Sequence, residues 1–251
     1  GPSRGAGVAL VHVKPDPAAV VTLKGLLGRA VDEGVAPAFS LVASRADGPR
    51  LELHAGAGAP DLRYDLASLT KVMHTTAAAM ALVADGRIEP EGEVRDLLLH
   101  ESGLPWWRPL FQEVGVDPGE TRCLGDRDAI RSRVRSLDRE SPPGVACVYS
   151  DPGFIRLEER LEERLGAPLG PWVAERVFHP LGIASVSFVD LTVPGAAASA
   201  RASASYAPTE ECPWRVRRLT AEVHDENAHA MGGVAGHAGL FGVAGDVHDF
   251  G

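Results

Sequence analysis

The 251-residue sequence lacks several features that would assign it to a broad class of protein. No apolar run is long enough to cross a membrane, so we expect no membrane span. The three cysteines, Cys123, Cys147 and Cys212, are too few and too scattered for a disulfide framework, although one pair remains compatible with the sequence. No signal peptide is visible, so the residues alone leave the compartment open.

The sequence also has fewer basic residues than acidic ones, 25 against 34. The formal net charge is −9 and no Lys/Arg cluster interrupts this balance, which argues against a nucleic-acid partner. Hydrophobic residues make up 45% of the chain and charged residues 24%, as in ordinary globular proteins. The length predicts one domain or two closely packed subdomains.

Hydrophobic spacing predicts an α+β protein. Helical periodicity predicts helices over residues 17–33, 68–84, 94–100, 126–137, 154–165 and 169–178. Alternation predicts strands at 39–44, 51–55 and 185–189, the first two forming a hairpin. The small residues of 196–205 predict a loop or linker. This order indicates a sheet-plus-helix half and a mostly helical half, with a site between them.

Ser68 and Lys71 are the first candidates for chemistry. Residues three apart on a helix share a face, with Cβ atoms ~5–6 Å apart, so Lys71 can reach the Ser68 hydroxyl. The helix N-terminus favours a developing negative charge on Ser68, and the Ser68 backbone N–H is a free donor for an oxyanion. Lys71 must be neutral part of the time to act as a base. An isolated Ser-x-x-Lys match is more often a capping serine and a surface lysine.

Tyr149 is the second candidate, on a predicted loop just before a helix. A phenol beside an ammonium can pass a proton between a nucleophile and a leaving group. Packing under a turn is the simpler explanation for this tyrosine taken alone.

A rival interpretation concerns histidines and carboxylates near the C-terminus. His224 and His229 are five residues apart, which is not the spacing of a helical zinc site. We expect no metal, and we expect residues 224–227 to order a loop through hydrogen bonds.

Several segments together resemble the serine β-lactamase and penicillin-binding-protein superfamily, most closely its class C-like branch of β-lactamases, esterases and D-amino-acid peptidases. They follow the family's order from about the first hairpin onward, which is more specific than any single match. The segments are Ala67-Ser68-Leu69-Thr70-Lys71, residues 96–105, Pro143-Gly144 leading to Tyr149-Ser150-Asp151, residues 178–183, and residues 236–241 leading to Asp246.

The resemblance implies a β-lactamase/transpeptidase-like fold, an antiparallel sheet flanked by helices plus a mostly helical subdomain. Residues 1–66 and about 183–251 would form the sheet side of a single domain, and about 67–182 the central helix and helical subdomain. It implies Ser68 as the acylated nucleophile, Lys71 as its base partner and Tyr149 as the second proton-transfer group. No cofactor is implied, and the resemblance favours a periplasmic or secreted location.

Two departures from the family pattern matter. The family's usual asparagine is Asp151 here, and a carboxylate near Lys71 favours the charged ammonium and removes an amide donor to substrate. His237-Ala238-Gly239 resembles the third family motif, Lys/His-Thr/Ser-Gly, and this makes His237 and Gly239 substrate-binding candidates. Its neighbours match a stretch that precedes that motif, so a structural turn is the alternative. In that case the chain stops before the third motif and the C-terminal strands.

The expected function is therefore that of a serine hydrolase acting through an acyl-enzyme on an ester or amide. The substrate is a small molecule or peptide: a β-lactam, a D-amino-acyl peptide or a carboxylic ester. Asp151 favours esterase or peptidase activity over β-lactamase activity. The alternative is a non-catalytic binding or scaffold protein that keeps the fold, inactive because the third motif is absent. The oligomeric state is left open.

Overall fold

The computed structural model of the chain describes residues 16–45, 48–115 and 126–251. The chain divides into two compact units, Gly1–Pro60 and Asp61–Gly251, which are described in turn. The single-domain organisation expected from the sequence stays a prediction. Cys123 lies outside the described residues, whereas Cys147 and Cys212 are free thiols.

The first unit contains the predicted helix and hairpin. Its elements are α1 (Pro17–Asp32), β1 (Ala38–Ala43) and β2 (Leu51–Gly56). Asp16 caps α1, and its carboxylate accepts the N–H of Ala18 at 3.0 Å. The two strands pair antiparallel with Leu41 opposite Leu53, and α1 packs against β2.

Among its described residues, the second unit has five short strands in two small antiparallel sheets. Its strands are β3 (Tyr64–Asp65), β4 (Ser187–Phe188), β5 (Glu211–Cys212), β6 (Arg217–Arg218) and β7 (Leu240–Gly242). The sheet order is β3-β7-β4, and β5 with β6 forms a separate hairpin. All three residues of β7 are buried, as expected for the middle strand.

The described part of the second unit contains nine α-helices, and the hydrophobic spacing predicted five of them. The nine are α2 (Ala77–Ala84), α3 (Gly92–Leu98), α4 (Leu110–Glu113), α5 (Arg127–Arg135), α6 (Asp151–Leu165), α7 (Leu169–Val173), α8 (Ala196–Ser203), α9 (Glu226–Ala230) and α10 (Ala244–Phe250). Helix α6 begins three residues earlier than predicted, because Pro152 is well tolerated in a first turn.

The helix predicted over 68–84 is not uniform. Residues Lys71–Thr76 form a π-helical segment, in which the N–H of Ala77 donates to the carbonyl of Val72 five residues back. Residues 77–84 then continue as α2. Single π turns inside α-helices occur frequently at functional sites, and hydrophobic spacing carries no signal for them.

The loop or linker predicted over 196–205 is wrong. Residues Ala196–Ser203 form helix α8, preceded by Gly195 in a left-handed conformation with φ of +78°. Alanine is the strongest helix former, so the alanine-rich composition stabilises a helix where small residues suggested a flexible segment.

The π-helical segment and α6 are joined by an apolar core. Met73 from the first and Leu157 and Leu161 from the second belong to one buried cluster. Full burial of each such side chain contributes roughly 1.5–3 kcal/mol. This packing fixes the two elements that carry Lys71 and Asp151.

Candidate active site

Ser68 is exposed at the entrance to the helical segment, between two buried anchors. Leu66 is buried, and its N–H donates to the carbonyl of Leu240 in β7 at 2.8 Å. Thr70 is fully buried, and its hydroxyl accepts the N–H of Leu240 at 3.2 Å. Ala67, just before the serine, has a φ of +44°, which non-glycine residues rarely adopt. The serine is thus presented to solvent on a tight, well-anchored turn.

Lys71 is buried and lies at the centre of the site. Its Nζ donates to Oγ of Ser68 at 2.9 Å and to the carbonyl oxygen of His237 at 3.2 Å. Oδ1 of Asp151 lies 2.7 Å from the same nitrogen. Lys71 therefore has one anionic partner and two neutral oxygen neighbours, one of which belongs to the candidate nucleophile.

Asp151 owes its position to the first turn of α6. The hydroxyl of Ser150 accepts the N–H of Gly153 at 2.9 Å and donates to the carbonyl of Pro105 at 2.7 Å. The N–H of Asp151 donates to the carbonyl of Trp106 at 3.0 Å. The cap and this backbone bond hold the carboxylate against Lys71.

Tyr149 presents its ring to the lysine. Nζ of Lys71 lies 4.7 Å from the ring centroid, a distance typical of a cation–π contact. The tyrosine is half-exposed, and within the described part of the chain its hydroxyl makes no hydrogen bond. The hydroxyl is therefore available to a bound substrate.

His100 organises the loop that carries Tyr149, and sequence patterns did not single it out. Its ring packs 4.6 Å from the ring of Tyr149, and its Nδ1 accepts the N–H of Ser150 at 3.0 Å. Its carbonyl accepts the N–H of Val148 at 2.8 Å. Burial, and then the charge of Lys71, lower the pKa of His100, so the ring is neutral near pH 7 with its proton on Nε2.

His237 and Gly239 lie in a buried turn that leads into β7, the middle strand of the sheet. His237 contributes its backbone carbonyl to Lys71, whereas its Nε2 lies 2.9 Å from Oδ1 of Asp225. Gly239 has a φ of +119°, and a Cβ there would lie 2.4 Å from the carbonyl oxygen of Gly233. The positive φ and this close approach therefore explain why position 239 is a glycine. The role of His237 and Gly239 in substrate binding stays a prediction.

Asp225 anchors this turn. Burial alone would raise its pKa, but the charge and hydrogen bond of His237, the N–H of Ala228 and the charge of Lys71 lower it to about 2. Asn227 orders the same segment, since its side chain accepts the N–H of Phe111 and donates to the carbonyl of Arg108. The hydrogen bonds expected of residues 224–227 are present, but Glu226 and Asn227 belong to helix α9 and not to a loop.

The structure thus brings Ser68, Lys71, the Tyr149 ring, the Asp151 carboxylate and the His237 carbonyl together. Within residues 16–45, 48–115 and 126–251, no three His, Cys, Asp or Glu side chains are grouped as metal ligands. In the same ranges no helix is long and apolar enough to cross a membrane.

Comparison with known proteins identifies the family of the chain. The family model described as Beta-lactamase matches residues 23–251. The chain belongs to the beta-lactamase family. The superfamily resemblance drawn from the motifs is confirmed.

Two curated relatives of the chain have the name "Putative D-alanyl-D-alanine carboxypeptidase". The protein from Escherichia coli K12 is 28% identical over 213 residues, which are 73% of this chain and 48% of the relative. The protein from Salmonella newport is 28% identical over 236 residues, 82% of this chain and 53% of the relative. The chain spans about half the length of the curated relatives it matches.

Solved structures confirm the β-lactamase/transpeptidase-like α+β fold of this family member. The octameric penicillin-binding protein homologue from Pyrococcus abyssi has a TM-score of 0.70 at 17% identity, over 92% of this chain and 55% of that one. The D-amino acid amidase from Ochrobactrum anthropi SV3 has a TM-score of 0.66 at 17% identity, over 92% of this chain and 68% of that one.

Proposed function

We propose that this chain is a serine hydrolase that forms an acyl-enzyme on Ser68. The observation that carries the proposal is the 2.9 Å contact between Nζ of a buried Lys71 and Oγ of an exposed Ser68. A nucleophile within hydrogen-bond reach of a potential base, with that base oriented by further groups, is the arrangement that nucleophilic catalysis requires. Family membership supports the same chemistry.

In the acylation step, the free-amine form of Lys71 takes the hydroxyl proton as Oγ of Ser68 bonds to the acyl carbon. The Ser68 N–H donates to the oxyanion of the tetrahedral intermediate. As the intermediate collapses, the hydroxyl of Tyr149 protonates the leaving amine or alcohol, and Lys71 returns the proton to Tyr149. Water then attacks the acyl carbon, Oγ of Ser68 regains a proton, and a carboxylic acid leaves.

The substrate class follows from the same residues. An ester or amide fits the chemistry, with a D-amino-acyl peptide, a carboxylic ester or a β-lactam as the candidates. The names of the relatives, a carboxypeptidase and a D-amino acid amidase, support an amide or peptide. A carboxylate at Asp151 cannot donate to a substrate carbonyl as an amide would, which favours esterase or peptidase activity over β-lactamase activity.

Labelling tests the proposal directly. A fluorophosphonate and a fluorescent penicillin should each modify the wild-type chain at Ser68, located by mass spectrometry of peptides. Ser68→Ala should abolish the modification, whereas Ser203→Ala, at an exposed serine on α8, should leave it unchanged. A p-nitrophenyl ester and a D-alanyl-D-alanine peptide should turn over faster than a chromogenic cephalosporin.

The second candidate function is a non-catalytic binding or scaffold protein with the same fold. The observation that favours it is the Asp151 carboxylate, which lies 2.7 Å from Nζ of Lys71 at the position where the family pattern has an asparagine. If a wild-type chain with an intact circular dichroism spectrum takes up neither probe, the hydrolase proposal fails and this candidate stands.

A further inference from the structure

Asp65 joins two parts of the second unit that are far apart in the chain. Its Oδ1 accepts the N–H of Ala67 at 2.8 Å, and its Oδ2 accepts the N–H of His224 at 2.7 Å. Burial raises the pKa of Asp65, and the two backbone hydrogen bonds act in the opposite direction. The carboxylate therefore uses one oxygen for each of two separate segments.

The first segment is the turn that presents the nucleophile. Ala67 has a φ of +44°, and a non-glycine residue keeps such a conformation only where the surroundings hold it. The hydrogen bond that the Ala67 N–H donates to Oδ1 of Asp65 holds it directly. Because Ala67 immediately precedes Ser68, this bond also sets the direction of the Ser68 N–H and side chain.

The second segment leads to Lys71. His224 is followed by Asp225, whose carboxylate binds the ring of His237 at 2.9 Å. The carbonyl of His237 in turn accepts from Nζ of Lys71 at 3.2 Å. A shift of the backbone at His224 would therefore move an acceptor that orients the lysine.

Arg215 holds this second segment from its other side. Its buried guanidinium donates to the carbonyl of Val223 at 2.6 Å and to the carbonyl of His224 at 2.5 Å. Arg215 thus fixes the carbonyls of the segment while Asp65 fixes an N–H. The Asp65 carboxylate links this segment directly to the Ser68 turn.

We propose that Asp65 is a positioning residue, which sets the Ser68 turn and the Lys71 acceptor relative to each other by bridging the N–H groups of Ala67 and His224. The inference rests on the proposed function, since positioning matters to the rate only if Ser68 is acylated. Asp65 itself touches neither Ser68 Oγ nor Lys71 Nζ.

The test uses the fact that asparagine has only one acceptor oxygen. In Asp65→Asn the amide can accept from one of the two N–H groups and must turn its NH2 toward the other. Asp246→Asn is the matched control. Oδ2 of Asp246 alone accepts the N–H groups of Ala184 and Ser185, at 3.0 and 2.7 Å, so an asparagine oxygen can keep both bonds.

Two measurements are made on the full chain. Amide hydrogen exchange should accelerate at least tenfold at Ala67 or His224 in Asp65→Asn and stay unchanged at both in Asp246→Asn. Saturable labelling with a fluorophosphonate should show the maximal inactivation rate falling about tenfold in Asp65→Asn, with the probe's half-saturation concentration changed less than twofold. A purely structural defect would change the active fraction and leave the rate of the active molecules unaltered.

A rescue variant keeps the inference open to test if Asp65→Asn folds poorly. Glycine adopts positive φ without help, so adding Ala67→Gly to Asp65→Asn should restore much of the lost inactivation rate. Unchanged exchange at both amides, or unchanged inactivation rate after a loss of protection, would overturn the inference. If the wild type takes up no probe, the proposed function fails, and exchange at Ala67 alone decides whether Asp65 holds the turn.

Discussion

The π-helical segment and α6 form two contacts between charged or ionisable side chains, and the two differ in kind. Lys71 pairs with Asp151 at 2.7 Å, and one turn further on His74 lies 3.8 Å from Glu158. The same two elements supply both pairs, because Asp151 and Glu158 are seven residues, or about two turns, apart on α6. Helix packing therefore explains why both pairs form, and a difference between the pairs must come from the residues around each one.

The neighbours decide the role of each pair. Lys71 also contacts the hydroxyl of an exposed serine, and the Asp151 side chain is 16% exposed. Glu158 is 1% exposed, and its second oxygen lies 3.1 Å from Nη2 of Arg131. Burial acts to raise the pKa of Glu158, but the charges of His74, Arg127 and Arg131 lower it. We infer that the Lys71–Asp151 pair belongs to the reactive site, whereas the His74–Glu158 pair anchors α6.

The largest effect is expected at Lys71. Lys71→Met keeps the length of the side chain but removes the base and the donor to Ser68, so the labelling rate with a fluorophosphonate should fall by about 10²–10⁴. Lys24→Met, at an exposed lysine on α1, should label at the wild-type rate. A Lys71→Met chain that labels within tenfold of wild type would contradict the role of Lys71 as base.

Glu158→Gln should instead lower stability. Removing one partner of a buried ion pair costs about 3–5 kcal/mol, and the low end is expected here because Arg131 keeps Glu162 at 2.7 Å. Urea denaturation followed by circular dichroism measures this loss. Glu163→Gln, at an exposed residue of the same helix, should change stability by less than about 1 kcal/mol.

The pH dependence of that loss has a defined sign. The folded-state pKa of Glu158 lies below its ordinary value of 4.5, so its stabilising contribution is present above pH 4.5 and is lost as the pH falls. The stability difference between wild type and Glu158→Gln should narrow as the pH falls below 4.5. A difference that widens in acid would contradict the assignment of Glu158 as an ionised anchor.

Tyr149→Phe should have an intermediate effect. The phenylalanine ring keeps the contact with the Lys71 ammonium but loses the hydroxyl that protonates a leaving group, so turnover of a peptide substrate should fall by about 10²-fold. Tyr206→Phe, which alters a tyrosine packed against Phe241, is the control and should stay within threefold of wild type. Unchanged turnover in Tyr149→Phe would assign the tyrosine to packing alone.

The parts of the site that sequence patterns predicted are those set by local geometry. Ser68 and Lys71 meet because residues three apart on a helical turn share a face, and Tyr149 and Asp151 are near one another because they flank the Ser150 cap. Binary spacing also located α6 and most other helices, since burial of one face requires it.

The parts that sequence patterns missed depend on contacts between distant residues. Asp65 meets His224 across 159 positions, and Lys71 meets the His237 carbonyl across 166. No local spacing encodes such hydrogen bonds, because the folded chain alone brings the partners together. The π-helical segment belongs to the same class, since it arises where the helix carrying Lys71 and His74 packs on α6.

The smallest change is expected at Asp151, and it tests the comparison most sharply. The carboxylate 2.7 Å from Nζ favours the ammonium form of Lys71, which is the wrong form for a base. Asp151→Asn removes the negative charge and supplies an amide, so labelling near neutral pH should be unchanged or rise several-fold. Asp151→Ala separates the two contributions, because it removes the charge without adding a donor. A tenfold or greater loss of labelling rate in Asp151→Asn would mean that the carboxylate acts in the reaction itself. Asp151 and Lys71 would then exchange a proton, and Asp151 would do more than hold the lysine in place.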